Sequence, residues 1–405
     1  MAARFPGTGR GLAAARDLAR GEAFLRIPAS CLLTANTPLG GEDPLQDFDA
    51  VLPTGLRPEH RLALRLLHER GRGAASPWAL YVAACPSSYT TLENFDAAAV
   101  EALQVPAMRA RAEQARQAAR EAHASLEKVL EAVAPPAERT LEAFLWACGT
   151  VASRTCSVPW CPAGALVPVG DLVNHKPREG EGEGEGEGEG IEGTEGTEAN
   201  EFGPVPPPSL DPDGSFFTFR ALRSYAAGEE VFVTYGAHKN AALLEHYGFV
   251  ADPGANPDDW VAVPLPGDSP AAAAAVEASA GSRGPRCVHA DGSASFALAC
   301  ALRTWFATGE RNSHNVFLAE AGMPVSPASE ALALAHVAAC CRAASDALPT
   351  SAAEDAAWLA NRGMHRAADA SSCEVQAVRW RHAYKRLLLA AIARAEAGTC
   401  FPDLA

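Results

Sequence analysis

Apolar and polar positions alternate with different periods in successive parts of this chain. Near the N-terminus, Gly9-Arg10-Gly11-Leu12-Ala13 leads through Arg20-Gly21 to Phe24-Leu25-Arg26-Ile27-Pro28. Glycine allows a turn and alternation follows it, so this segment predicts an opening β-hairpin that turns at Arg20-Gly21. From about 58 to 150 the period becomes helical. Residues 57–70 place Leu62, Leu66 and Leu67 on one face, with Pro58 in the first turn. Residues 108–133 are rich in Ala, Arg, Glu and Gln, with large apolar side chains gathered at Leu126, Val129, Leu130 and Val133. That composition predicts a helix exposed over much of its length. A third helix, over 138–155, is expected to bury Leu141, Phe144, Leu145 and Ala147 or Cys148 before it reaches Ser153 and Arg154.

Strand alternation returns at 216–222 and 229–236, joined by Ala226-Ala227-Gly228. Ahead of these strands, residues 178–209 hold six Glu-Gly repeats, a Thr/Glu/Gly run and a Pro-rich tail. Such a sequence buries too little apolar surface to offset chain entropy, and a disordered loop is expected. The strands beyond it need the strand before Asp171 as a partner, so the loop is read as interrupting one β unit. After about 265 strand signals nearly vanish. Residues 296–307, 329–348, 352–363 and 374–396 are helical by spacing and composition, with Pro and Gly between them.

Composition narrows the class. A length of 405 residues allows two or three domains at roughly 150 residues each. Apolar content of 48% with 20% charged residues suits a soluble globular protein with a substantial core. The net charge of −15 is uneven: residues 179–201 hold ten Glu and no Lys or Arg, so the remainder carries −15 + 10 = −5. The acidic tract is read as a solvated loop. No basic stripe suited to phosphates is present, which argues against nucleic acid as a partner. Eleven cysteines, an odd number with no C-x-x-C pair, predict reduced thiols and no metal site. The longest candidate membrane stretch, near 261–282, is broken by Pro and Gly. The N-terminus lacks the apolar core of a secretory signal, so an intracellular location is expected, in cytoplasm or nucleus, or in a plastid if the N-terminus is truncated; a monomer is expected.

Two segments carry the candidate chemistry. VPVGDLVNHKP at 167–177 ends an apolar run in Asp171, Asn174 and His175. VFVTYGAHKNAALLEHYGFV at 231–250 sets Tyr235 and Tyr247 on either side of a helix. Singly, each has an ordinary reading: a hairpin turn at Gly9-Arg10-Gly11, a helix cap at Asn174-His175, a core aromatic at Tyr235. In this order, with GRGLAAARDLARGEAFLRIP at 9–28 and SPWALYVAACPSSYTTLENF at 76–95, they resemble the SET-domain methyltransferases. The subgroup resembled is the one related to the Rubisco large-subunit methyltransferase. The resemblance implies an α+β fold, in which a small-sheet SET β-fold with pseudoknot-like threading and a helical insertion precedes an all-α C-terminal domain. The SET domain would span 5–250, with the insertion at about 45–150, and the helical substrate-binding domain 265–400. The last of these matches in position and helical character only.

The implied reaction is methyl transfer from S-adenosyl-L-methionine to a lysine of a non-histone protein. By the resemblance, backbone groups around Thr8, Gly9 and Arg10 and the side chains of Asn174 and His175 hold the cofactor, with Arg154 pairing its carboxylate and Tyr235 facing it. A lysine must arrive neutral to attack, and desolvation beside a cationic cofactor lowers its pKa without a dedicated base. Tyr235 and Tyr247, with carbonyls near Ser153 and Asp171, would orient the amine, and Phe249 would line the channel. His238, Lys239 and Asn240 receive no catalytic role, and Asn240 is read as a helix N-cap. Two alternatives stay open. One is histidine methylation, found in a branch that lacks the tyrosine of the YGF motif, so that Tyr247 favours lysine. The other is a protein-interaction module that keeps the fold without turnover.

Overall fold

β10 (Glu230–Val233) is the strand on which the β part is organised, because it joins segments far apart in the chain. It runs antiparallel to β2 (Gly9–Ala13) on one side and parallel to β7 (Asn174–His175) on the other. With β1 (Ala2–Phe5) outside β2, this gives a four-stranded sheet of order β1-β2-β10-β7. Two three-stranded sheets flank it. β3 (Ala23–Pro28) pairs with β9 (Phe216–Arg220), which also pairs β8 (Ser209–Leu210). β6 (Cys161–Leu166) lies between β4 (Leu33–Thr34) and β5 (Thr155–Val158). The computed structural model describes residues 1–36, 55–177, 205–267, 284–307, 313–363 and 372–402. Residues 178–204 of the expected disordered loop thus lie outside the described residues.

The hairpin expected about Arg20-Gly21 does not form. β2 is instead the second arm of a hairpin with β1, and β3 belongs to a different sheet. Cross-strand packing explains the choice. β3 sets Leu25 against Phe219 and Ile27 against Phe217, whereas β2 offers mainly glycine and alanine. The partner expected for the late strands is also different. The strand before Asp171 is β6, which pairs with neither β9 nor β10; β10 takes β7, just after Asp171. Strands on both sides of the acidic spacer therefore share one sheet.

The helices of 58–154 follow the sequence pattern closely. α1 (Pro58–Gly71) buries Leu62, Leu66 and Leu67 completely and has proline at its start. α2 (Ala79–Ala84) and α3 (Ala97–Ala102) are short. α4 (Pro106–Ser125) buries only Met108 and Ala112, and the expected continuous helix breaks at Leu126 before α5 (Glu127–Val133). α6 (Leu141–Arg154) starts where the Thr140 hydroxyl accepts from the Ala143 amide, relieving one of the unpaired N–H groups of the first turn. It buries Phe144 and Ala147 as expected, together with Trp146 and Val151, while Leu141, Leu145 and Cys148 are only half-buried.

Beyond residue 250 a two-stranded ribbon, β11 (Trp260–Ala262) with β12 (Cys287–His289), precedes helices Phe296–Phe306, Ser313–Glu320, Pro327–Asp346, Ala352–Gly363 and Cys373–Ala397. Leu298, Leu302, Val337, Leu387 and Leu388 form their core. The last helix has a second apolar face, where Ala377, Trp380 and Ala383 pack with Leu92, Phe95, Val100 and Leu244. At this join Asp355, fully buried, accepts from Lys385 Nζ at 2.6 Å, from Arg381 Nε at 2.9 Å and Nη2 at 2.7 Å, and from the Thr350 hydroxyl at 2.8 Å. Arg381 Nη1 reaches the Ala102 carbonyl at 2.7 Å and Lys385 reaches Gln104 Oε1 at 3.2 Å, so one charge network ties three elements together. All eleven cysteines are free thiols. Among the described residues no helix is long and apolar enough to cross a membrane.

Candidate active site

The parallel register of β10 and β7 sets Phe232 opposite Asn174 and Val233 opposite His175. That pairing brings the two sequence segments together within one strand spacing. On the N-terminal side, Asn174 Nδ2 donates to the Arg10 carbonyl at 2.9 Å and to Glu230 Oε1 at 2.7 Å. Both amide protons are thereby taken, and Oδ1 accepts no bond among the described residues. Thr8 and Gly9 lie exposed in the β1–β2 turn, where Gly9 has φ +77° and open space beside its Cα. Arg10 is held toward α2 by a 2.6 Å bond from Nη1 to the Ala84 carbonyl.

On the other side the aromatic residues converge. β10 ends just before Tyr235, and a short helix, α7 (Asn240–Ala242), widens into a π turn over Leu243–Tyr247 that returns Tyr247 to it. The rings of Tyr235 and Tyr247 stack with centroids 4.9 Å apart. Phe249 stands edge-on to both, at 6.5 and 6.3 Å, and the His175 ring lies 5.1 Å from Tyr235. Gly248, at φ +74°, makes the left-handed turn that this return requires. The Tyr235 hydroxyl donates to the Val173 carbonyl at 2.8 Å, and its backbone N–H donates to His175 Nδ1 at 3.0 Å.

The protonation states follow from burial. Desolvation pushes the Tyr235 phenol well above its ordinary value and raises Tyr247 in the same direction. Both hydroxyls are therefore neutral donors and acceptors at physiological pH, not bases. Burial, aided by His238, pulls His175 down to about 4, in keeping with an Nδ1 that accepts a hydrogen bond.

Arg154 and Asp171 form a partly buried pair at 3.0 Å, and Arg154 Nη1 also reaches the Asp171 carbonyl at 3.1 Å. Burial raises the Asp171 pKa, and Arg154 opposes it. Tyr81 of α2 donates to the same carboxylate at 3.1 Å, and Arg154 Nε meets the Tyr89 hydroxyl at 3.2 Å. The Ser153 hydroxyl turns back onto the Gly149 carbonyl at 2.6 Å. The structure thus gathers Tyr235, Tyr247, Phe249 and His175 into one wall and Asn174 with the Thr8–Arg10 turn into another. Arg154 and Asp171 pair with each other, held by Tyr89 and Tyr81.

Three participants escaped the sequence reading. Tyr81 and Tyr89 lie in the quoted 76–95 segment without a role, and Glu230 lies one residue before the second motif. Their polarity was visible, but the partners are distant in sequence. Asn240 is no N-cap. Lys239 takes that position, and Asn240 is buried, bonded through its side chain to Asp259 at 2.9 Å and through its amide N–H at 3.0 Å. The preference for Asn at a cap yields here to a buried partner that satisfies both groups.

The fold and the paired segments define a SET-type protein. Over 98% of this chain, and 86% of the other, the fold matches the crystal structure of the SET domain of LSMT bound to lysine and AdoHcy, with a TM-score of 0.60 at 20% identity. The structure of Rubisco LSMT bound to AdoMet matches similarly, at a TM-score of 0.59 and 18% identity, covering 98% of this chain and 87% of that one. No family model matches the sequence. Protein SET DOMAIN GROUP 40 of Arabidopsis thaliana is 34% identical over 366 residues, which cover 87% of this chain and 71% of that protein. The chain belongs to the SET-domain methyltransferases, of the LSMT-like kind. SET domain-containing protein 4 of Mus musculus is 28% identical over 62% of this chain, which spans about half (54%) of that relative's length. The actin-histidine N-methyltransferase of Danio rerio is 29% identical over 60% of this chain and 38% of its own.

Proposed function

We propose that this chain transfers a methyl group from S-adenosyl-L-methionine to a lysine side chain of a non-histone protein. The observation that carries the reading is the Tyr235–Tyr247 stack, closed by Phe249 and His175, just beyond the strand whose neighbour presents Asn174. When bound, the cofactor supplies an electrophilic methyl group on a sulfonium centre.

The residues present fit that cofactor. Asn174 Oδ1 is a ready acceptor for its ammonium group, and the open Thr8-Gly9-Arg10 turn admits close backbone approach. Arg154, a half-buried cation with Nη1 on Asp171, is the proposed partner of its carboxylate. On the acceptor side, a wall of aromatic rings strips water from an incoming ammonium and favours its neutral, nucleophilic form. Tyr235 and Tyr247, held neutral, orient the amine through their oxygens, with carbonyls near Ser153 and Asp171 as further acceptors. Phe249 limits the width.

Tyr247 favours lysine over histidine, because a phenol oxygen at that position can accept from an amine that still carries protons. The likeness to the actin-histidine enzyme makes histidine the second reading. The helices after residue 290 are the proposed platform for the protein substrate, and a cytoplasmic or nuclear location suits a free-thiol chain. Incubation with isotopically labelled cofactor and cell extract, followed by mass spectrometry of the labelled acceptor, tests the reading. Label on lysine is expected, strongly reduced with Tyr235→Phe. Label on histidine overturns the choice of acceptor, and no transfer by the wild type points to an interaction module.

A further inference from the structure

Glu230 opens β10 opposite Ala13, and its carboxylate lies where three elements meet. The Thr8 hydroxyl reaches its two oxygens at 2.9 and 2.7 Å, and Asn174 Nδ2 donates to Oε1 at 2.7 Å. A Cβ built on Gly11 would stand 2.4 Å from Glu230 Oε1 and 2.9 Å from Asn174 Nδ2. Glycine at 11 is therefore the gap through which the pair makes contact. The second proton of the Asn174 amide goes to the Arg10 carbonyl. Turning that amide over would press Oδ1 against two acceptors and leave the NH2 group facing the ligand side, a change opposed twice.

We propose that Glu230 is a positioning residue for the methyl donor. It fixes the Asn174 amide so that an acceptor, not a donor, meets the ammonium end of S-adenosyl-L-methionine, and it ties the Thr8 turn to β7 in the same contact. The inference rests on the methyl-donor reading above and adds to it the residue that sets the polarity of the subsite. Glu230 does this through its acceptor oxygens. Its charge is not required, because a glutamine could present Oε1 to Asn174 and donate to the Thr8 hydroxyl.

Calorimetric titration with S-adenosylhomocysteine tests this on the full chain. Glu230→Met keeps the volume and removes the acceptor, and its Kd should rise about tenfold, the worth of a hydrogen bond to a charged group. Glu230→Gln should stay within about twofold of wild type if orientation is what matters. Gly11→Ala displaces the same pair from the opposite side and should reproduce the Met result, which keeps the proposal testable if Glu230→Met fails to fold. In steady-state assays the loss should fall on KM for S-adenosylmethionine with kcat at saturation nearly kept, the mark of lost uniform binding. A merely structural clip would lower kcat and thermal stability with KM unmoved, and that pattern overturns the proposal. Unchanged affinity in Glu230→Met and Gly11→Ala, or a Gln variant as weak as Met, also overturns it. Absence of binding by the wild type would instead overturn the methyl-donor reading, and this inference with it.

Discussion

The Tyr235 hydroxyl donates to the Val173 carbonyl at 2.8 Å, so a residue of the aromatic wall is fastened to the residue just before Asn174. The Tyr235 backbone N–H also donates to His175 Nδ1 at 3.0 Å. The two halves of the site are therefore held in register by one residue. Rigid placement of this kind is what a transfer between two bound reactants needs, because small misalignments are costly.

Tyr235→Phe removes the hydroxyl and keeps the ring stack. Turnover should fall by roughly a hundredfold, the usual scale for losing a positioned polar group at a reacting centre. Stability should drop by only about 1 kcal/mol, since one buried hydrogen bond is lost. Single-turnover assays with labelled cofactor beside a denaturant titration separate these effects. Wild-type turnover in the variant would remove the phenol from the chemistry.

His175 is held at about 4 in the fold against 6.5 for an ordinary imidazole. Between these values the unfolded chain binds a proton that the folded chain does not, so stability falls as the pH drops. The contribution is complete above about 6.5 and is lost progressively toward 4. Allowing for partial solvent access, the loss is on the order of 1–2 kcal/mol. Urea titrations at several pH values should show it in the wild type and show less of it in His175→Asn, whose side-chain oxygen can still accept from Tyr235. Equal pH dependence in both proteins would exclude His175 as the source.

Asp355→Ala leaves Lys385 and Arg381 buried without their shared carboxylate. Removing one partner of a buried charge network costs about 3–5 kcal/mol, much more than an exposed ion pair does. Because Arg381 and Lys385 also reach Ala102 and Gln104, the loss should loosen the join between the last helix and the 97–106 region. Hydrogen exchange should rise on both sides of the join. Increased exchange confined to the C-terminal helices would mean that the network is local to them.

Gly248→Ala places a Cβ in a left-handed turn and within 2.8 Å of Thr90 Oγ1 and 2.9 Å of the Thr90 carbonyl carbon. Strain and crowding together should cost about 1–3 kcal/mol. The larger effect should be on turnover, because Tyr247 and Phe249 flank the glycine. Crystallography of the variant would show displaced rings, and rings left in place would assign the glycine a purely structural role.

Much of this molecule was legible where a local period decides the outcome. Leu62, Leu66 and Leu67 announced α1 by their spacing, and all three are fully buried. The pair of motifs also announced that Asn174 and Tyr235 would meet. Strand partners were less legible, because alternation fixes which face of a strand is apolar but not which strand will cover it. The Arg20-Gly21 hairpin was misread for that reason. Glu230 and Tyr81 were missed because their partners lie 56 and 90 residues away, and no local pattern marks a polar side chain that will turn inward.

The position of β10 in its sheet has a consequence for biosynthesis. Val231 pairs with Leu12, 231 − 12 = 219 positions earlier, and Phe232 pairs with Asn174. As the chain leaves the ribosome, β2 emerges long before β10, the strand that covers its second edge. Asn174 and His175 follow with an open edge, and the acidic spacer must be translated before the strand that fills the gap arrives. Non-local pairing of this kind is slow, because a long loop has to close before any contact repays it. Until β10 is made, β2 and β7 each keep an unpaired edge, and a run of glutamates that follows one of those edges in sequence would repel other nascent chains from it.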